Sequence, residues 1–304
     1  MYAESIKEQL SEKDKNTIVW IHDYHLFLVP KMLKQLLAKN PLKISYSIGF
    51  FLHIPFPPVE TFEQLPNYQE ILDGMLGYES IGFHTRKYRD NFLKCCEKYK
   101  VCKFDSLTDE LQLDREGHKV IVQVVPAGIV YNTFSEQSKG EFSEKFPEDL
   151  KAWVEECTKN PNKTLLIGVD RVDFTKGLFR KVDAFQKLLE KRELSHEVFY
   201  LQIAVPCRDT ESMYEELREK LENRFGKFKD KSKIRLHLKS LSHQDLSVLY
   251  KKADIALVTP LIDGLNLVAL EYIACQTAEP GVLILSKNTG VAEYIHDDDA
   301  LKAS

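Results

Sequence analysis

Short, densely apolar runs alternate along this chain with stretches in which apolar residues recur every three or four positions. The runs lie near Ile18–Ile21, Ile44–Leu52, Ser80–Phe83 and Val120–Val125, then near Leu165–Val169, Phe199–Ala204, Ile234–Leu238, Ile255–Val258 and Val282–Leu285. Each is short enough for a strand and too continuously apolar to leave one face in water, the pattern of a parallel strand buried on both faces. Between them, Leu26, Val29, Leu33 and Leu36 mark one amphipathic helix, and Leu178, Val182, Phe185, Leu188 and Leu189 another. The alternation predicts an α/β chain with mostly parallel sheets and helices on both faces. The stretch from Asn132 to Asn162, rich in Glu, Lys, Asn and Pro, reads as a helix plus a polar connector rather than core. This places a domain boundary near residue 160, giving domains 1–160 and 161–304 that share one rhythm without a short-period repeat.

Composition supports that picture and narrows the partners. A chain of 304 residues, 43% hydrophobic, is long enough for two domains with cores. A net charge of -4 and a pI near 6.2 imply no broadly basic face, which argues against binding nucleic acid by bulk electrostatics. No apolar stretch is long enough to span a bilayer, and the polar segment Met1 to Lys15 is unlike a secretory signal. The six cysteines are scattered without Cys-x-x-Cys spacing, so they are expected to be reduced thiols of a cytoplasmic protein. The run Asp297-Asp298-Asp299 reads as a solvated acidic tail.

Candidate chemistry falls at the carboxyl ends of the predicted strands, where open α/β sheets bind ligands. After Leu165–Val169 comes Asp170-Arg171-Val172-Asp173-Phe174-Thr175-Lys176-Gly177, which sets two cations on one loop. Arg171 can fork onto phosphate oxygens, Lys176 adds a mobile point charge, and Gly177 lets backbone approach closely. Pairing of both cations with Asp170 and Asp173 is the alternative. In Trp20-Ile21-His22-Asp23-Tyr24-His25-Leu26, Asp23 is placed to bind a sugar hydroxyl, to orient a histidine, or to cap the following helix. Its two flanking histidines lack a third ligand at metal spacing, so no metal is expected. In Gly49-Phe50-Phe51-Leu52-His53-Ile54-Pro55, prolines halt an apolar strand just after His53. Arg208 follows the strand ending at Ala204, with Asp209 or Glu211 as alternative ion-pair partners. The segment Asp263-Gly264-Leu265-Asn266-Leu267-Val268-Ala269-Leu270-Glu271 opens a helix with Asp263 at its cap, whose first amides can hold a phosphate. Asp263 and Asn266 can bond sugar hydroxyls there, and Glu271 a ribose.

In order, these segments, with Gly82-Phe83-His84-Thr85 and Leu257-Val258-Thr259-Pro260, resemble the trehalose-6-phosphate synthases, retaining glycosyltransferases of family 20. The resemblance runs from about Tyr2 to about Ala292. It implies a GT-B fold, two Rossmann-like domains facing across a cleft, both incomplete because the family pattern extends beyond each end. It further implies UDP-glucose and glucose 6-phosphate as substrates, with no cofactor and no metal. By the same analogy the catalytic set is Asp23, His53, Arg171, Lys176 and Asp263. The donor would be held by Arg171, Lys176, Asp263, Leu265, Asn266, Leu267, Val268 and Glu271, and the acceptor by Asp23 and Arg208. A homo-oligomer or a trehalose-6-phosphate phosphatase partner is compatible with the resemblance. Departures from the family pattern are Ile262 for an Arg, Leu265 for a Met, Val130 for an acid, and Lys287-Asn288-Thr289 within the loop after the last strand. They leave open a non-catalytic subunit of a trehalose-synthesis complex and a GT-B transferase using another acceptor.

Overall fold

The predicted apolar runs form strands because their alternate side chains have a core to enter. The computed structural model describes residues 1–11, 16–39, 45–100, 102–113, 119–191, 196–206, 212–276, 280–295 and 301–303. Contacts divide the chain into two units, Met1–Ala127 and Gly128–Ser304.

The first unit runs α1 (Tyr2–Ser11), β1 (Thr17–His22), α2 (Val29–Lys39), β2 (Tyr46–Leu52), α3 (Val59–Phe62), α4 (Tyr68–Met75), β3 (Ser80–Phe83), α5 (Arg86–Tyr99), β4 (Cys102–Asp105), β5 (Glu110–Leu113) and β6 (Lys119–Val124). Its sheet has the order β1-β2-β3-β6-β5-β4. The first four of these are parallel, and β5 and β4 join antiparallel as a hairpin that the apolar pattern did not predict. Ile48, Phe50, Leu52, Ile81 and Phe83 point into one core with Leu33, Leu72, Met75 and Phe92 from the helices. Residues of opposite parity remain outside it, with Ile18 75% and Trp20 51% exposed. The helices of this unit therefore feed a core on one face of the sheet, and the expectation of helices on both faces fails here among the described residues. On the other face the Trp20 ring lies over Gly49, where a Cβ would come within 2.3 Å of it and displace the ring.

The second unit runs α6 (Tyr131–Gln137), α7 (Glu148–Thr158), β7 (Lys163–Arg171), α8 (Leu178–Glu190), β8 (Glu197–Val205), α9 (Ser212–Gly226), β9 (Ile234–His237), α10 (His243–Lys252), β10 (Ile255–Val258), α11 (Leu267–Cys275), β11 (Val282–Ser286) and β12 (Leu301–Ala303). The strands are parallel in the order β12-β11-β10-β7-β8-β9. Here both faces are covered. Leu165, Ile167, Leu201 and Ile203 enter a core with α6, α7, α10 and α11, while Leu166, Val198, Tyr200 and Ala204 enter another with α8 and α9. That split is the period-two geometry of a strand.

The divide between units lies at Ala127 and Gly128, not near residue 160. The segment read as a connector supplies Phe134, Phe146, Leu150, Val154 and Cys157 to the second core. Its loop is also fastened there, since Asp245 accepts bonds from the Ser143 amide at 2.8 Å and hydroxyl at 3.0 Å. Among the described residues five cysteines are free thiols, and burial pushes Cys95 and Cys275 up to about 11 and Cys157 up to about 12, which leaves these three unreactive. No helix among the described residues is long and apolar enough to cross a membrane.

One polar cluster lies inside the second unit. Lys181 of α8 donates to Asp170 of β7 at 2.6 Å and to the Leu257 carbonyl of β10 at 3.1 Å. Gln202 of β8 donates to the same Asp170 oxygen at 3.0 Å and accepts from the Tyr200 hydroxyl. The Lys181 and Asp170 side chains are 1% and 2% exposed, so deleting either strands the other's charge out of water. Lys181→Met is therefore expected to lower the free energy of unfolding by about 3–5 kcal/mol, measured by urea denaturation. A loss under about 1 kcal/mol, the worth of a surface pair, would refute this account.

Candidate functional site

The loop between β7 and α8 takes its shape from two short-range constraints. Asp173 accepts from the Thr175 amide and hydroxyl, both at 2.8 Å, and so caps the single turn Phe174–Lys176. Gly177 then adopts φ 66°, and a Cβ there would come within 2.9 Å of the Thr259 carbonyl. The Leu261 amide donates to the Thr175 carbonyl at 2.7 Å, which fixes the loop against the segment leaving β10. This turn aims Lys176 inward. Its Nζ meets Asp263 Oδ2 at 2.5 Å, and Asn266 Nδ2 donates to the same oxygen at 2.9 Å. Of the alternatives open in the sequence, pairing of Lys176 with Asp170 or Asp173 is thus excluded. Asp170 belongs to Lys181, and Arg171 stands 61% exposed with Asp173 4.0 Å away.

Asp263 is not the helix cap. That position belongs to Asn266, whose side chain accepts from the Ala269 amide at 3.4 Å at the start of α11. Asp263 is held instead by its main chain, donating to the Asn288 carbonyl at 3.1 Å and accepting from the Gly290 amide at 3.1 Å. The amides of Leu267 and Val268 precede the capped one and have no acceptor within the helix, so the amino end of α11 carries partial positive charge beside Lys176. The Leu265 side chain is buried, and its carbonyl accepts from the Val291 amide at 2.9 Å. One turn along α11, Glu271 Oε2 accepts from the Tyr250 hydroxyl at 3.0 Å. Burial raises the Glu271 pKa above the ordinary carboxylate value, against the lowering effects of the Tyr250 bond and of His243.

In the first unit, β1 and β2 bring Asp23 and His53 together. Asp23 makes no side-chain cap and holds φ 68°, a conformation that costs a non-glycine residue. Its amide donates to the Phe51 carbonyl at 3.0 Å, and its Oδ1 accepts from the His53 amide at 3.0 Å. Of the three roles open to Asp23, capping of the following turn is not made, and its carboxylate instead fixes the His53 main chain. The His53 ring lies among Phe51, His84 and His22, with its Nε2 2.9 Å from His22 Nδ1. Desolvation by these neighbours lowers its pKa, opposed by Asp23 and reinforced by His22. Arg208 lies outside the described residues.

The model of glycosyltransferase family 20 matches residues 1–301. The chain belongs to glycosyltransferase family 20. The UDP-forming alpha,alpha-trehalose-phosphate synthase A of Dictyostelium discoideum is 38% identical over 287 residues, 92% of this chain and 37% of that protein. Among solved structures, the E. coli trehalose-6-phosphate structure bound with UDP-2-fluoro glucose matches with a TM-score of 0.85 at 32% identity, over 99% of this chain and 65% of that one. The UDP-forming synthase of Burkholderia xenovorans in complex with glucose-6-phosphate matches with a TM-score of 0.85 at 29% identity, over 99% of this chain and 66% of that one. The chain thus spans less than two thirds of the length of these relatives. With these matches, the two α/β units place this family member in the GT-B fold class.

Within the family frame, sequence reasoning missed the partners of the site residues. Tyr250 on Glu271, Lys181 on Asp170, and His22 and His84 around His53 had no assigned role. His22 and His84 end β1 and follow β3, so the rule that named His53, a polar residue at the carboxyl end of a parallel strand, would have reached them. Glu271 yields a pH signature. Its carboxyl keeps a proton in the folded chain over a range where the unfolded chain has lost it. Stability is therefore full below the ordinary carboxylate pKa and falls as pH rises through the raised one. Glu271→Gln keeps an acceptor for Tyr250, so its urea midpoint is expected to exceed that of the unaltered chain at pH 7. The two should converge near about pH 4, where the native carboxyl is itself protonated. A lower midpoint for Glu271→Gln at pH 7 would contradict the assigned shift.

Proposed function

We propose that this chain transfers a glucosyl group from UDP-glucose to glucose 6-phosphate with retention, giving trehalose 6-phosphate and UDP. The observation carrying this reading is the convergence of Lys176, Asp263 and Asn266 at the amino end of α11, with Arg171 on the same loop as Lys176. A cation beside helix-start amides suits a diphosphate, and a carboxylate paired with a carboxamide suits vicinal hydroxyls. Arg171, Lys176 and the amides of Leu267 and Val268 hold the diphosphate, Asp263, Asn266 and the Leu265 main chain hold the glucose, and the second Glu271 oxygen takes the ribose. Asp23 and His53 offer hydroxyl-binding groups from the first unit, and Arg208 a cation for the acceptor phosphate.

In the chemical step the bond from the glucosyl C1 to the diphosphate oxygen breaks. A bond from C1 to the anomeric oxygen of glucose 6-phosphate forms on the same face, and the acceptor's proton passes to the departing phosphate. The developing charge sits on the leaving group, so the protein's contribution is fixed positive charge rather than a nucleophile. Those side chains and amides supply that charge without calling for a metal ion. A cytoplasmic setting fits this reading, as does association with a second copy or with a phosphatase that consumes the product.

The test is turnover of UDP-glucose and glucose 6-phosphate, followed by UDP release and by detection of trehalose 6-phosphate. Activity is expected to persist in EDTA. Lys176→Gln and Arg171→Ala should each lower kcat by on the order of 10²–10³, the scale of losing one charge-stabilising donor. UDP binding by calorimetry with no transfer to any sugar phosphate would instead select a non-catalytic donor-binding subunit. Transfer to another acceptor would keep the donor half of the assignment and replace the acceptor half.

A further inference from the structure

We infer that His22 is a positioning residue for His53, occupying its Nε2 so that only Nδ1 is left to a ligand. His22 ends β1 and His53 directly follows its parallel neighbour β2, with His22 paired in register to Phe51, two residues before His53. Their centroids are 5.1 Å apart at 27°, and His22 Nδ1 lies 2.9 Å from His53 Nε2. Two imidazole nitrogens at that separation must share one hydrogen, because two lone pairs or two N–H groups facing each other would repel. Whichever ring donates, Nε2 of His53 is consumed. The other restraints act on the same residue: its amide is tied to Asp23 Oδ1 at 3.0 Å, and Phe51 and His84 flank its ring. His84 is itself set, its Nδ1 accepting from the Ala127 amide at 3.3 Å.

The pair can take up one further proton, which gives a charge-assisted N–H···N bond, but a second would break the contact. The charged and titratable groups facing His53 are Asp23, which favours its cation, and His22 and His84. As a neutral, oriented ring, His53 presents Nδ1 to a hydroxyl, which can donate to it or accept from it. The consequence for catalysis rests on the transferase reading of the preceding section; the pairing itself does not.

The experiment is imidazole NMR of the full chain labelled with ¹⁵N-histidine, titrated with acid, for the unaltered protein and for His22→Phe and His22→Asn. His22 is exposed at the end of an edge strand, and circular dichroism verifies that each variant folds. In the unaltered protein, His53 should show the ¹⁵N shift of a hydrogen-bonded Nε2. In His22→Phe, which keeps a ring but no nitrogen, that Nε2 should lose its hydrogen-bonded shift. In His22→Asn, whose amide can donate or accept, Nε2 should remain hydrogen-bonded. Identical ¹⁵N shifts and midpoint for His53 in the unaltered protein and His22→Phe would overturn the proposal. In the transfer assay His22→Phe should raise the KM for one sugar substrate roughly fivefold with kcat little changed, the worth of one neutral hydrogen bond, and His22→Asn should restore it. An unchanged KM in an active His22→Phe enzyme would remove the positioning role. If the unaltered chain transfers no sugar, the transferase reading fails and the NMR comparison still decides the pairing.

Discussion

Lys181 is the side chain on which the carboxyl edge of the second unit's sheet is built. Burying an ammonium group costs several kcal/mol unless its hydrogens are used, and here they reach Asp170 on β7 and the Leu257 carbonyl on β10. Gln202 brings β8 into the same cluster through Asp170. Three strand ends are thus registered by one polar knot, and the loop leaving each strand inherits its position. Arg171 is the residue after Asp170. The segment after Leu257 passes Thr259, whose carbonyl lies close against Gly177, and Leu261, whose amide holds the Thr175 carbonyl, and continues to Asp263. An apolar replacement of the same volume could match the knot in stability, but it would lack the directed bonds that fix where the loop begins. The ion pair is best understood as a source of specificity here.

Much of the fold was readable because parallel strands buried on both faces announce themselves as unbroken apolar runs, as Leu165–Val169 and Phe199–Ala204 do. The hairpin of Cys102–Asp105 and Glu110–Leu113 did not, since only Leu111 of its residues is fully buried and charged residues alternate through it. The unit boundary was misplaced for a related reason. Leu150, Val154 and Cys157 repeat at helical spacing inside a stretch dominated by Glu and Lys, so composition hid a core face that periodicity alone would have kept.

The site was legible residue by residue and illegible pair by pair. Asp23, His53, Lys176, Asp263 and Asn266 each stand at or after a strand end, which is a local property. Their pairings are set by which strands are neighbours: β1 beside β2 brings His22 to His53, and β7 beside β10 brings Lys176 to Asp263 across 87 residues of sequence. Backbone strain was equally invisible. Asp23 and Asn266 hold φ of 68° and 75°, each at a cost on the order of 1 kcal/mol or more, offset by the bonds those conformations permit. At Asp23 the offset is the bond from the His53 amide, and at Asn266 it is a side chain serving the helix cap and Asp263 together.

Asp263 Oδ2 receives both Lys176 and Asn266, and in the proposed donor site that shared acceptor would couple the two halves of a nucleotide sugar. A diphosphate drawing Lys176 away must replace the attraction of a carboxylate at 2.5 Å, in a place where both side chains are mostly shielded from water. The carboxylate left behind then loses its ammonium partner, and parting a partly buried carboxylate from a charged donor is costly. A sugar hydroxyl delivered with the diphosphate repairs that deficit at the same oxygen. On the donor reading proposed above, phosphate binding and sugar binding are not independent contributions at this site: the anion takes Lys176 from Asp263, and a sugar hydroxyl can donate to the oxygen it leaves.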